Sequence, residues 1–369
     1  MKSQESQKKV FVALSGGVDS AVAAALLKER GYDVAGVFIK IWQPEFSECT
    51  WREDRLDAMR VAAALEIPFE EVDFSEKYKR EVIDDMLAAY KKGITPNPDV
   101  MCNRHIKFGA LWEWAKERGA DYIATGHHAR VKRISDKTPP FGSLAPKWGE
   151  WGLLRGVDAE KDQSYFLWQL TQYDLEHTLM PVGELQKSEV RSLARKYALP
   201  VADKPDSQGL CFVGDIAMSD FLERYIAVEK GDVYDTRGNI IGVHNGALLY
   251  TIGQREGLNI HSGGSARAPY YVVAVDVAAN RVVASTHRMD AAVKNVCLYN
   301  ENWINSLHQY DDLSCMVRYR QIPQSCRLEK SAITGTRVHF SEPLIASTGQ
   351  SLVLYNVDSC LGGGMMRAK

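Results

Sequence analysis

No stretch of about 18 consecutive apolar residues occurs in this chain of 369, which removes a membrane-spanning helix from consideration. The seven cysteines, Cys49, Cys102, Cys211, Cys297, Cys315, Cys326 and Cys360, form no CxxC pair and are odd in number. That argues against a disulfide framework and against a simple structural zinc site. One or two are candidates for a reactive thiol, and the rest are expected as buried small hydrophobes. An excess of charge of one sign is also missing: the net charge is −2, so any nucleic-acid site has to be a local patch. Met1 to Lys9 is short and polar, without the apolar core of a secretory signal or the Arg-rich pattern of a transit peptide, and the cytoplasm is the expected location. The length exceeds one typical core and predicts two or three domains.

What is present is concentrated first in Leu14-Ser15-Gly16-Gly17-Val18-Asp19-Ser20. The apolar run Val10 to Leu14 reads as a buried parallel strand, and Ala21 to Arg30 as a helix closed by Gly31. Strand, glycine turn and helix start together make a phosphate cradle. Ser15 and Ser20 offer hydroxyls, Gly16 and Gly17 let the backbone approach, and the helix N-terminus presents unpaired N–H groups with a partial positive charge. Asp19 beside phosphates is repulsive unless a cation lies between, which predicts a Mg²⁺ ligand. The spacing is not that of a Walker loop, which needs a Gly-Lys-Ser/Thr ending. A tight turn carrying two serines is the plain alternative.

Strand and helix then alternate. Val34 to Ile39 reads as a strand whose last residue, Ile39, is a candidate for adenine contact or simply core. Glu53 to Leu65 reads as a helix, Phe69 to Phe74 as a strand, and Ser75 caps a helix running toward Gly93. Asp121 to Ala124 is another strand, ending in Thr125-Gly126-His127-His128, where Gly126 lets the backbone approach a ligand and His128 reads as a polar loop residue. This alternation implies a parallel sheet covered on both faces. Within it, Thr95-Pro96-Asn97-Pro98-Asp99 forms a rigid irregular loop before Cys102. If a helix starts near Asn103, Cys102 lies at its N-terminus with Arg104, His105 and Lys107 nearby, an arrangement that favours a thiolate; an incidental cysteine after a turn is the alternative. Lys132 to Trp151, rich in proline and glycine, reads as a surface insertion.

Lys161-Asp162-Gln163 suits phosphate or base contact, or a solvated turn. A helix with Val190, Leu193, Ala194 and Tyr197 on one face follows, and Pro200 to Ser207 closes the first domain. Cys211 comes directly afterwards, either a buried strand residue or a functional thiol at a mobile boundary. Exchange between Cys102 and Cys211 requires one to be a thiolate and the other persulfidated or oxidised. From Gly231 onward short strands dominate, including a hairpin of Tyr270 to Val277 with Arg281 to Ser285. Trp303, Met316 to Arg320, Thr336 to Phe340 and Ser351 to Tyr355 continue the pattern, which predicts a small barrel or a sandwich. Arg318, Tyr319, Arg320 and Arg327 form the densest basic and aromatic cluster of this half, fit for phosphate contact and stacking or for a solvated strand face.

Ser-Gly-Gly-Val-Asp-Ser after a strand resembles the pyrophosphate loop of enzymes that cleave ATP between the α- and β-phosphates. Taken in order with Asn-Pro-Asp before Cys102, Thr-Gly-His, Lys-Asp-Gln-Ser-Tyr-Phe-Leu, Asp-Ser-Gln-Gly-Leu-Cys-Phe, Arg-Tyr-Arg-Gln and the late Gly-Gln, it closely resembles the bacterial tRNA-specific 2-thiouridylase family over essentially the whole chain. The resemblance implies a multidomain α/β plus β protein. A doubly wound parallel-sheet ATP pyrophosphatase domain (PP-loop, adenine nucleotide alpha hydrolase-like) would cover residues 1–206, a central β-rich domain 207–290, and a C-terminal, tRNA-contacting β-barrel 291–369. It further implies ATP on Ala13, Leu14, Ser15, Gly16, Gly17, Val18, Asp19, Ser20, Ile39 and Gly126, with Mg²⁺ on Asp19. The wobble uridine would meet Asn97, Pro98 and Asp99, while His127, Lys161, Asp162, Gln163, Arg318, Tyr319 and Gln350 would touch tRNA.

In the implied chemistry the uridine O2 is adenylated, a persulfide on Cys211 supplies sulfur, and Cys102 acts as nucleophile, leaving a transient disulfide. The sulfur would come from a relay protein or a cysteine desulfurase, and the substrates would be Lys, Glu and Gln tRNAs. Another adenylating pyrophosphatase, such as an amidotransferase, or a tRNA- or nucleotide-binding module without turnover are the competing readings. Three stretches depart from the family pattern: the insertion around Lys137 to Trp151, Ser262 to Ala268, and a Gly-rich tail from Gly362 to Lys369.

Overall fold

Apolar runs separated by helices build an all-parallel first sheet. A computed structural model of the chain describes residues 7–46, 51–134, 151–206, 216–261, 269–305, 312–331 and 335–367. Strands β1 (Lys9–Ala13), β2 (Asp33–Lys40), β3 (Phe69–Asp73) and β4 (Tyr122–Ala124) form the sheet's core. After β5 (Ala129–Arg133) and β6 (Trp151–Arg155) leave it, β7 (Thr178–Leu179) completes the order β3-β2-β1-β4-β7. The order reverses between β1 and β4, and in such sheets the ligand crevice lies at the carboxyl ends of those strands.

Helices α1 (Val18–Glu29), α2 (Trp51–Ala64), α3 (Ser75–Tyr78) and α4 (Asp85–Lys91) follow the first three strands, with a π-helical turn at Lys79–Asp84 joining the last two. α1 buries every residue from Val18 to Leu27 except Asp19, because the sheet covers one side and α8 (Lys187–Lys196) the other. Its alanines permit that close sandwich. Between these, α5 (Pro98–Cys102) runs through a π-helical stretch, Asn103–Ala110, into α6 (Leu111–Lys116), and α7 (Gln172–Glu176) precedes β7. α9 (Met218–Tyr225) leads into the second sheet.

That sheet contains β8 (Gly231–Tyr234), β9 (Ile240–His244), β10 (Asn259–Ile260), β11 (Tyr271–Asp276) and β12 (Arg281–Ser285), in the order β10-β9-β8-β12-β11. The expected hairpin is β11 with β12. The last third forms β13 (Ala292–Trp303), β14 (Leu313–Met316), β15 (Gln324–Ser331), β16 (Gly335–Ile345), β17 (Ser351–Asn356) and β18 (Ser359–Arg367). The order β13-β16-β15-β14-β17-β18 closes through a β13–β18 pairing, so the choice between barrel and sandwich falls to the barrel. Cys315 and Cys360 are buried in it as small hydrophobes, and burial pushes the Cys360 thiol up to about 12.

One expectation changes here, and the Gly-rich tail finds its structural reason. The Gly-rich tail is the closing strand: a Cβ at Gly362 would strike the Asn302 carbonyl and one at Gly363 the Leu352 carbonyl, so only glycine fits between the neighbouring strands. The insertion is shorter than the Lys132 to Trp151 reading. Lys132 and Arg133 belong to β5 and Trp151 to β6, a hairpin that joins the barrel sheet when Ser359 and Cys360 of β18 pair with Leu154 and Leu153. Residues 135–150, 262–268 and 368–369 lie outside the described residues. The barrel and the first sheet remain separate sheets but share a core, since one apolar cluster holds Phe11 and Ile123 together with Trp168, Met316, Val353 and Tyr355.

Candidate active site

α1 begins at Val18 with Gly17 as an extended N-cap (φ −99°, ψ 164°), and no side chain caps it. The first-turn N–H groups are therefore available to an anion, as the cradle requires. Gly16 sits at φ +75°, and a side chain there would meet the Asp54 carbonyl. Ser20 shapes the loop from within: its hydroxyl donates to Gly17 O (3.1 Å) and accepts from Ser15 N (3.2 Å), while Ser15 itself is exposed. Gly126 lies directly against α1, where a Cβ would stand 2.5 Å from Ser20 N. Ala13 and Leu14 end β1, with Leu14 N bonded to Val37 O at 2.8 Å, and Ile39 lies near the end of β2. These positions suit a nucleotide's phosphates and base.

Asp19 already has a cation. Lys187 Nζ lies 2.6 and 2.8 Å from its two oxygens and His128 Nε2 lies 3.3 Å from one of them. Burial pushes the Asp19 carboxyl up, but the bonds from His128 and Lys187 outweigh it and hold the group below its ordinary range. The charge argument for a metal is thus met by an ammonium. Among the described residues no group of three or more His, Cys, Asp or Glu is placed to hold a metal ion.

Lys187 also pairs with Asp206 at 2.8 Å, which takes further ion pairs from Lys161 (2.7 Å) and Arg191 (2.7 Å). Burial raises the Asp206 carboxyl, yet Lys161 and Lys187 dominate and hold it far below the usual carboxylate range. The sequence reading places Asp206 in a domain-closing turn, leaves Lys187 unremarked and takes His128 for a polar loop residue. Instead His128 is buried. Lys187 carried one usable signal: it stands in the first turn of α8, where the helix dipole disfavours a positive charge.

Other expected site residues face inward. His127 is buried, takes a 2.7 Å bond between Nδ1 and Thr125 Oγ1, and burial holds it well below the ordinary histidine value, so it is neutral at pH 7. Asp162 accepts from Arg155 Nε (2.8 Å), Gly156 N (3.0 Å), and Ser164 N and Oγ (both 3.1 Å). Gln163 exchanges backbone and side-chain bonds with the His128 backbone, both at 2.9 Å.

Cys102 requires a correction. The helix starts at Pro98 rather than Asn103, with Asn97 Oδ1 accepting Val100 N at 3.3 Å and proline at the first helical position. Cys102 is therefore the last residue of α5, not at a helix start. It is 2% exposed, among Tyr78, Val82, Met86, Ile106, Phe221 and Leu222, with Ile39 packed on the same cluster. The following Asn103, buried, donates to Phe166 O (3.2 Å), while its Oδ1 has no partner. Phe166 in turn packs against Tyr319 with ring centres 4.5 Å apart and the rings tilted by 49°. Arg318 donates to Ile252 O at 2.9 Å, tying barrel to central sheet. Gln350 reaches the loop before Asn97. Cys211 lies outside the described residues.

Family models described as a tRNA methyl transferase HUP domain, a tRNA methyl transferase PRC-barrel domain and an aminomethyltransferase beta-barrel domain match residues 8–215, 219–286 and 293–366. The tRNA-specific 2-thiouridylase MnmA of Pseudomonas fluorescens is 43% identical, with 99% of this chain and 96% of that one covered. The Nitrosomonas eutropha relative of the same name is 41% identical with 98% of each covered, and that of Albidiferax ferrireducens 42% identical with 100% of each. Among solved structures, the U34-tRNA thiolase NcsA from Methanococcus maripaludis overlaps 60% of this chain and 67% of its own at 20% identity and a TM-score of 0.35.

Proposed function

The chain belongs to the tRNA-specific 2-thiouridylase family, and from that premise we propose that it is an ATP-dependent tRNA sulfurtransferase making 2-thiouridine at the wobble position. Two of the matching family models are named for methyl transfer; the cradle favours adenylation, because an uncapped helix start at the crevice of a parallel sheet serves nucleotide phosphates.

In this reading the α1 start and Ser15 hold the phosphates while uridine O2 attacks the α-phosphorus and pyrophosphate leaves. Mg²⁺ bound to ATP would arrive with it and neutralise phosphate charge. The terminal sulfur of a Cys211 persulfide then attacks uridine C2 and displaces AMP. Cys102 attacks the Cys211 sulfur, which releases the thiolated base and leaves a Cys102–Cys211 disulfide. An external thiol reduces that bond, and a persulfide donor, either a relay protein or a cysteine desulfurase, reloads Cys211.

One observation carries the two-thiol scheme. The described residues flanking 207–215 are anchored at both chemical centres: Asp206 in the ion-pair cluster with Lys161 and Lys187, Ile216 on the apolar cluster of Cys102. Cys211 is five residues from each along the chain. The test is nucleoside mass spectrometry of unmodified tRNA treated with the protein, Mg²⁺-ATP and a persulfide source. Cys102→Ala and Cys211→Ala are each expected to abolish 2-thiouridine and to keep ATP binding. Thiolation surviving in either variant refutes the scheme, and ATP and tRNA binding without pyrophosphate release by the wild type favours a binding module.

A further inference from the structure

We propose that Gln350 and Gly349 are positioning residues for the catalytic helix, so that a turn of the barrel fixes where α5 begins and hence where Asp99 and Cys102 stand. The proposal rests on the thiolation reading. Thr95-Pro96-Asn97-Pro98 has two residues without an N–H, and its carbonyls need donors from elsewhere. The Gln350 side-chain amide supplies one, donating to both Thr95 O and Pro96 O at 3.1 Å. Thr95 N in turn donates to Thr348 O at 3.0 Å. Gly349, at φ +91°, presses so closely on the loop that a Cβ would collide with Ile94 Cγ2 and stand 2.9 Å from Thr95 O.

The turn itself is pinned to the closing strand, since Gly349 N donates to Met366 O and Met366 N to Gln350 O, both at 2.8 Å. A continuous set of short links thus runs from β18 through Gln350 to the Asn97 cap and on to Cys102. α5 is the first turn of a helix that runs on to Lys116, and its opening residues take their start from the proline-flanked loop and the Asn97 cap before them. The barrel then acts as a scaffold for the nucleophile as well as a surface for RNA.

The resemblance implies that Gln350 touches tRNA, and the two roles separate kinetically. Loss of a pure contact raises KM for tRNA with kcat unchanged, whereas loss of positioning lowers kcat with tRNA affinity unchanged. The experiment measures kcat and KM for thiolation, tRNA affinity by filter binding, and amide hydrogen exchange over 94–102 for wild type, Gln350→Ala and Gly349→Ala. Both variants are expected to lose kcat on the order of 10- to 100-fold, to bind tRNA as the wild type does, and to exchange faster over 94–102. Gly349→Ala adds only a methyl group, so a shared kcat defect reports position rather than an RNA contact.

A Gln350→Ala effect confined to KM and tRNA affinity, or wild-type exchange over 94–102, overturns the proposal. Should Gly349→Ala fail to fold, kcat and exchange of Gln350→Ala decide. A wild type that makes no 2-thiouridine refutes the functional reading, and the exchange data then judge the scaffold by themselves.

Discussion

One methyl group at Gly126 tests the nucleotide cradle directly. A Cβ there would stand 2.5 Å from Ser20 N, 2.6 Å from the Asp19 carbonyl carbon and 2.9 Å from Ser20 Cα, all backbone atoms that no rotamer change can remove. Ordinary contact begins near 3.4 Å, so the first turn of α1 has to retreat by about 0.9 Å (3.4 less 2.5). Retreat is opposed because α1, apart from Asp19, is buried from Val18 to Leu27 between the sheet and α8. Overpacking of this kind costs about 1–3 kcal/mol. The same displacement moves Asp19 and the anion-facing N–H groups, and a misplacement near 1 Å costs on the order of 100-fold in rate. We expect Gly126→Ala to remain folded at assay temperature, to unfold at lower urea, and to lose ATP-dependent pyrophosphate release by far more than its folded fraction. Full-rate release from a folded variant refutes the placement of the phosphates on this turn.

Two further outcomes follow from charges. Asp206 has its carboxyl held below the ordinary range, so its ion pairs stabilise the fold fully above the unfolded carboxylate value, about pH 4, and that stabilisation is lost as pH falls below it. The urea-midpoint difference between wild type and Asp206→Asn should therefore be constant from pH 8 to pH 5 and shrink below about pH 4; a difference that grows in acid refutes the assignment. Asp162→Asn turns an amide toward groups that all donate, and should cost about 3 kcal/mol in denaturant unfolding. Loss of tRNA affinity at unchanged stability instead identifies Asp162 as a direct contact.

The legible half of the site is the local half. β1, its glycine turn and α1 occupy one short stretch, and their order, glycines and hydroxyls show in the sequence with boundaries moved by a few residues. Asn97-Pro98 was equally local, since Asn before Pro is a helix-start signal, yet two prolines in four residues also describe a rigid loop. Only the Val100 bond to Asn97 decides between them. The glycines of β18 likewise have no meaning until strands on both sides leave no room for a Cβ.

The electrostatic half depends on contacts across the chain. Lys187 reaches Asp19 over 168 residues and His128 reaches it over 109, distances at which no periodicity survives. A lone carboxylate in a phosphate loop implies a positive charge, but it does not say whether a metal or an ammonium supplies it. The unfavourable position of Lys187 at a helix N-terminus was the available complement. A cation kept where the dipole repels it implies a carboxylate close by, and Asp19 was the carboxylate in need of a cation.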